Sequence, residues 1–387
     1  NPASIEEVRF PIRIIDWSLD YYNEKGEDKL KSPIILQDKN GPCPLIALIN
    51  SLVIGYEVSL KKIATNNMGI THDNDQKLNG LRGFKELLFQ MEANNGFIEL
   101  KKLLEQLGDL ILIYNNEIHA DDQDEIDKIL TNLPLLHTGL NVDPNLLKGN
   151  FVKDDLASQL FELFGLKFKH GWVIDPIDNE DIKWNVSARH VHSDSQDHVP
   201  ESARSHSHTP ESEQDNYGKL VELFDKLQTF DKIQDYLLID DEQGLEKLEK
   251  LQNQRLISKW LELNKTQLTS IGLKKLNNEL HDEEVVIFFR NNHFNTLFKK
   301  GDMDMYLLIT DTAFNNKSNK IVWQSFNSVS GKDDLFFTGD FLPILELDAN
   351  INDEGYNDSD YLLLKQLQEE EDERLAVQMQ HAFSKKS

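Results

Sequence analysis

The sequence predicts an α+β fold, with a helical portion packed on a mostly antiparallel sheet. Three observations lead there. Helical periodicity runs through much of residues 45–133 and again through 217–280. Residues 285–290 (VVIFFR) form a continuous apolar run, as a strand buried on both faces requires. Two further strand patterns, 304–310 and 320–326, follow it closely enough to make an antiparallel meander.

The elements follow in order. Residues 8–17 alternate as a strand, 21–32 read as a charged loop, and 33–36 as a short strand. Pro44 suits the first turn of a buried helix that runs through 45–52. Helices are expected over 81–93, 97–107 and 124–133, a strand at 110–114, and a strand or loop at 137–142. A short helix, 156–164, leads into a strand and turn at 168–176. In the helical stretch 217–280, Thr269 or Ser270 is placed to cap the last helix. The reading is one domain over 1–345, then an acidic linker and a C-terminal helical tail over 346–387. Segment 187–215 interrupts the domain. Serine, histidine, acids and proline dominate it, so it cannot bury enough apolar surface to order itself and is expected as a disordered insertion.

Composition narrows the function. Sixty-seven acidic against 41 basic side chains leave a net charge of −26. Binding a nucleic-acid backbone calls for a basic patch, so that class is set aside. A partner with a basic face fits, and a field of this sign speeds encounter with one. One cysteine cannot form an internal disulfide, which suits a reducing compartment such as the cytoplasm. No apolar run is expected to reach the ~20 residues of a membrane helix, and no signal peptide is visible. The expectation is a monomer engaging neither membrane nor nucleic acid. The insertion holds five histidines without a regular framework of carboxylates or thiolates, so neither a metal nor a cofactor is expected.

The lone thiol, Cys43, sits in Asn40-Gly41-Pro42-Cys43-Pro44. Glycine and proline punctuate a loop, and the apolar helix begins directly after it. A thiol at a helix N-terminus meets unpaired N–H groups and the positive end of the macrodipole, both of which favour the thiolate. The ordinary fate of a lone cysteine is burial as a small hydrophobe; this setting points instead to a nucleophile. Gln37, six residues upstream, is placed to donate to a developing oxyanion. A thiolate nucleophile needs a base and a group that orients the base. Of the twelve histidines, His293 directly follows the buried run 285–290 and an Asn-Asn pair. Strand ends beside a core present side chains rigidly, although a turn histidine held by backbone fits the same pattern. His137 and His170 lie near structured segments with no evident polar partner. For the orienting group, Thr310, Asp311 and Gln324 all lie near ends of the following strands, and Gln324 also fits ordinary strand pairing. In the tail, Leu363, Leu364 and Leu367 make a narrow stripe beside a run of acids, and Leu375, Ala376 and Met379 extend it. Such a helix suits a partner's groove or a solvated face.

Taken together, an ordered set of segments resembles one family, the MINDY deubiquitinases, cysteine proteases that trim ubiquitin chains. The set comprises Pro33-Ile34-Ile35-Leu36-Gln37 through Asn40-Gly41-Pro42-Cys43-Pro44-Leu45, Leu107-Gly108-Asp109, Thr138-Gly139-Leu140-Asn141-Val142 and His170-Gly171-Trp172-Val173-Ile174-Asp175-Pro176. Gln267-Leu268-Thr269 with Gly272-Leu273, Phe288-Phe289-Arg290-Asn291-Asn292-His293-Phe294, Tyr306 to Asp311 and Val322-Trp323-Gln324-Ser325 complete it. The resemblance implies a papain-like cysteine protease variant. Cys43 would be nucleophile, His293 general base and acid, Gln37 oxyanion donor and Thr310 a supporting partner of His293. It implies lysine-48-linked polyubiquitin as partner and substrate, cut from the distal end through a thioester acyl-enzyme without a metal. It also implies a ubiquitin-binding tail helix carrying Leu363, Leu364, Leu367, Glu369, Glu370 and Ala376. Two positions depart from the family. Asp38 stands where asparagine is usual, and a carboxylate there would raise the thiol pKa. Leu364 stands where the tail helix normally has a small alanine. Asp38, together with a loop that would occlude Cys43 at rest, motivates an alternative reading, a ubiquitin-chain-binding scaffold of weak or no activity, whereas Leu364 would weaken binding by the tail.

Overall fold

Two sheets meet along one seam, and the seam lies beside the N-terminal half of a single long helix. The computed structural model describes residues 8–19, 29–37, 44–66, 72–115, 123–137, 140–152, 155–174, 211–239, 245–314, 320–331 and 334–344. Strands β1 (Arg9–Trp17), β2 (Leu30–Ile35) and β3 (Phe97–Glu99) form a small antiparallel sheet with β1 in the middle. The larger sheet is assembled from β4 (Phe168–His170), β5 (Val285–Arg290), β6 (His293–Lys300), β7 (Asp304–Leu308), β8 (Trp323–Ser325) and β9 (Phe336–Phe337), in that spatial order. Only the β4–β5 pair is parallel; the rest is the expected meander.

Helix α1 (Pro44–Asn66) covers one face of this sheet and α9 (Ser270–Glu279) the other. Ile287, Phe289 and Phe294 pack in one cluster with Leu45, Ile46 and Ile49 of α1, while Val286, Phe288 and Leu297 pack with Leu276 of α9. Burial on both faces explains why 285–290 shows no polar alternation. By length and composition α1 is apolar enough to cross a membrane, contrary to the expectation that no run reaches that length, and 78% of the stretch is buried inside the protein. Its apolarity is that of a core helix.

Helices α2 (His72–Asn95), α3 (Leu100–Asn115), α4 (Gln123–Asn132) and α5 (Leu156–Leu163) extend the cluster around α1. Helices α6 (Glu211–Leu227), α7 (Phe230–Leu238) and α8 (Leu245–Leu263) make a separate cluster in which Phe224, Trp260 and Trp172 are buried. Two expectations fail here. Residues 110–114 are not a strand but the last turns of α3, whose buried residues Leu100, Leu103, Leu107, Leu110 and Ile111 keep helical spacing; Leu112 is exposed. Residues 97–99 are not helix but β3, recruited by pairing with β1. Helix α6 takes in 211–215, so the expected insertion is helical at its C-terminal end; 187–210 and 345–387, with the whole tail, lie outside the described residues.

Two glycines and a threonine join β4 to α9. A Cβ on Gly272 would sit 1.8 Å from the Gly171 carbonyl oxygen, so only glycine permits this approach. Thr269 caps α9, as the sequence suggested, by accepting from the Gly272 N–H at 3.0 Å. The same hydroxyl donates to the Val173 carbonyl at 2.8 Å. The segments His170–Pro176 and Gln267–Thr269 are thus legible as packing devices over their described part.

Candidate active site

Cys43, Asp38 and the loop between them lie outside the described residues. The flanking segments are described, and they converge. Gln37 continues β2 and is half-buried. Its N–H donates to the Thr310 carbonyl at 2.7 Å, and its carbonyl accepts from the Thr312 N–H at 3.1 Å, a bridge that joins the small sheet to the chain leaving β7. Thr310 therefore meets Gln37 through its backbone. Two residues earlier, the N–H and carbonyl of Ile35 are both taken by the Asn50 side chain of α1, at 2.8 and 2.9 Å.

His293 opens β6. The hairpin before it has a two-residue turn, since Arg290 pairs with His293. Asn291 and Asn292 have φ of 50° and 63°, the left-handed pair of a type I′ turn, which asparagine tolerates well. The Asn-Asn dipeptide is therefore the reason that His293 is presented where it is. The hairpin tip is braced from outside. Arg290 donates from Nε to the Thr266 carbonyl at 2.8 Å and from Nη2 to the Val329 carbonyl at 2.9 Å, and Gln267 Oε1 accepts from the Asn291 N–H at 2.8 Å. His293 is half-buried and its Nε2 is shut from solvent.

Hydrogen bonds orient α1 against this strand. Thr296 donates to the Ala47 carbonyl at 3.2 Å and lies 3.1 Å from the Ser51 hydroxyl, all three residues buried. At the far end of α1, Lys62 donates to the Glu283 carbonyl at 3.2 Å, and the Glu283 N–H donates to Lys299 at 2.9 Å. The C-terminal end of α1 thus lies by the end of β6, and its N-terminal end points toward the start of β6, where His293 stands. The β6–β7 ladder runs to Leu297 opposite Leu307, and beyond β7 the chain reaches Asp311, the residue bridged to Gln37. Gln324 pairs within the sheet with Leu307 and Phe336.

The other histidines near structured segments have backbone partners after all. His170 is 3% exposed; its Nε2 faces the Asn150 carbonyl at 3.1 Å and its Nδ1 faces the Trp172 N–H at 3.1 Å. With a carbonyl on one nitrogen and an N–H on the other, the ring is held as the neutral Nε2–H tautomer. Burial pushes its pKa down to about 3. It cannot exchange protons usefully near neutrality. His137 Nδ1 meets the Pro134 carbonyl. Among the described residues no cluster of three or more His, Cys, Asp or Glu side chains is arranged to hold a metal.

Sequence reasoning missed Asn50, Thr296, Arg290 and Gln267. Asn50 had a visible signal, an amide in the middle of an apolar helix, which must be hydrogen-bonded if buried.

The family model for the MINDY deubiquitinases matches residues 9–341. The chain is similar to ubiquitin carboxyl-terminal hydrolase MIY1 of Saccharomyces cerevisiae, 30% identical over 355 residues, 90% of this chain and 79% of that protein. It is also similar to ubiquitin carboxyl-terminal hydrolase MINDY-1 of Mus musculus, 28% identical over 85% of this chain and 56% of that protein. Mouse MINDY-2 is 26% identical over 96% of this chain and 50% of its own length. The chain thus spans about half the length of the mouse relatives.

Proposed function

Because the chain belongs to the MINDY deubiquitinase family, we propose that it hydrolyses isopeptide bonds in lysine-48-linked polyubiquitin from the distal end, with Cys43 as nucleophile. One observation carries this reading: strand β2, which leads into Gln37, and the strand beginning with His293 are both hydrogen-bonded to the N-terminal half of α1, the helix that starts one residue after Cys43. That convergence supports assigning papain-like roles to Cys43 as thiol, His293 as base and Gln37 as oxyanion donor.

In the proposed reaction His293 holds the thiol proton, and the thiolate attacks the carbonyl of ubiquitin's C-terminal glycine. Negative charge moves to the carbonyl oxygen, where the Gln37 amide donates. Fixed donors of this kind stabilise a tetrahedral intermediate by about 3 kcal/mol each. As the carbon–nitrogen bond breaks, His293 returns its proton to the departing lysine amine, leaving a thioester. A water, deprotonated by His293, hydrolyses the thioester and restores the thiol. Thr310 is the supporting partner of His293 in this reading, and its carbonyl also accepts from the Gln37 N–H. The acidic chain favours approach of ubiquitin's basic face, and the tail residues Leu363, Leu364, Leu367, Glu369, Glu370 and Ala376 add a second contact. We place the protein in the cytoplasm as a monomer.

The test is incubation with a ubiquitin probe bearing a C-terminal electrophile, beside a cleavage panel of all linkages at several chain lengths. Wild type forms an adduct that Cys43→Ala abolishes, and it shortens lysine-48 chains first. Binding of long chains with neither adduct nor cleavage would support the scaffold reading instead.

A further inference from the structure

Strand β2 is an edge strand of the small sheet, so the outward N–H and carbonyl groups of Ile35 and Gln37 need partners from elsewhere. Those of Gln37 find the chain after β7, through Thr310 and Thr312. Those of Ile35 find a single side chain, the fully buried Asn50, whose amide takes the place of a neighbouring strand for one residue. Asn50 lies six residues into α1 from Pro44, the residue that follows Cys43 in the sequence. On the same helix, Ala47 and Ser51 engage Thr296, three residues beyond His293. Adjacent residues of α1 thus engage the two strands from which Gln37 and His293 extend.

We propose that Asn50 is a positioning residue for catalysis. By fixing the height of β2 against α1, it sets where the oxyanion donor Gln37 stands relative to the N-terminus of α1. This rests on the deubiquitinase reading and assigns Gln37's placement to a residue that touches neither substrate nor thiol. The chemistry of Asn50 explains why an amide stands there. One group must both donate to a carbonyl and accept from an N–H of the same residue; a carboxylate cannot donate, and an apolar side chain can do neither. A displacement of about 1 Å in a catalytic group is enough to slow a reaction ~100-fold.

The test is a double-mutant cycle in the full chain, with kcat and KM measured on lysine-48-linked chains and the folded fraction measured in parallel. Asn50→Ala is expected to lower kcat by ~10- to 100-fold with KM changed less than ~3-fold. In a Gln37→Ala background, where no donor remains to be misplaced, the same substitution should lower kcat by less than ~3-fold. Should Asn50→Ala fold poorly, Asn50→Asp serves. Its carboxylate still accepts from the Ile35 N–H but faces the Ile35 carbonyl without a proton, so its kcat relative to wild type at the same pH should recover as the pH is lowered and the carboxyl becomes a donor. Equal losses in both backgrounds, or losses that follow the folded fraction alone, would overturn the proposal while leaving the enzyme reading intact. Absence of cleavage by wild type would strike that reading first.

Discussion

Lowering the pH from 7 to 5 should destabilise this protein through one identifiable histidine. His170 is held neutral, with its folded pKa pushed down to about 3 by burial; the hydrogen bond to Asn150 opposes the shift, and Lys169 and Lys275 add to it. In the unfolded chain the ring takes up a proton near pH 6.5. The unfolded state therefore binds more protons over the window between about 3 and 6.5, and stability falls as pH drops through it. At pH 5 the unfolded ring is protonated some thirty-fold in excess, worth about 2 kcal/mol; at pH 4 the figure approaches ~3 kcal/mol. Sixty-seven carboxylates also titrate on the acid side, so the comparison must be differential. Urea unfolding of wild type and His170→Gln at pH 7 and pH 5 isolates the contribution, because glutamine loses the titration and keeps an amide donor. The variant should start less stable at pH 7 and lose about 2 kcal/mol less than wild type on acidification. Equal losses in the two proteins would show that His170 is not held neutral, and would undo the argument that excludes it as a general base.

Three further outcomes follow from the geometry. Thr296→Val keeps shape but removes the hydroxyl shared by Ala47 and Ser51; chemical denaturation should show a loss of about 1–2 kcal/mol, and probe labelling of Cys43 in the folded protein should slow. Gln267→Ala removes the acceptor for the Asn291 N–H at the hairpin tip, and steady-state kinetics should show kcat falling several-fold with KM little changed. Gly272→Ala forces a methyl group into the Gly171 carbonyl, and thermal melts should show a loss of about 3 kcal/mol or an insoluble product, with no gain from conservative replacements elsewhere in α9.

Much of this was legible in the sequence where local and tertiary demands coincide. The run 285–290 is apolar on both faces because α1 and α9 bury both, and Thr269 caps α9 as its residue type suggests. The Asn291-Asn292 pair marks the turn that presents His293, and Pro44 marks the start of α1. What failed was decided at a distance. Residues 97–99 are short and apolar enough for either state, and β1 settled the matter by pairing with them. Residues 110–114 are apolar on every side, which hid the helical spacing that Leu103, Leu107 and Leu110 share. The backbone bridge between Gln37 and Asp311 joins positions 274 residues apart (311 − 37), and no local pattern announces it.

The central claim is that the imidazole of His293 reaches the sulfur of Cys43. Since Cys43 is the sole cysteine, its alkylation can be followed without interference, and the pH dependence of iodoacetamide modification in wild type and His293→Ala measures that contact directly. Wild type should react well below the ~8.5 at which a free thiol ionises, and the variant's profile should move up toward it. A wild-type profile centred near that free-thiol value, or one that His293→Ala leaves in place, would contradict the account.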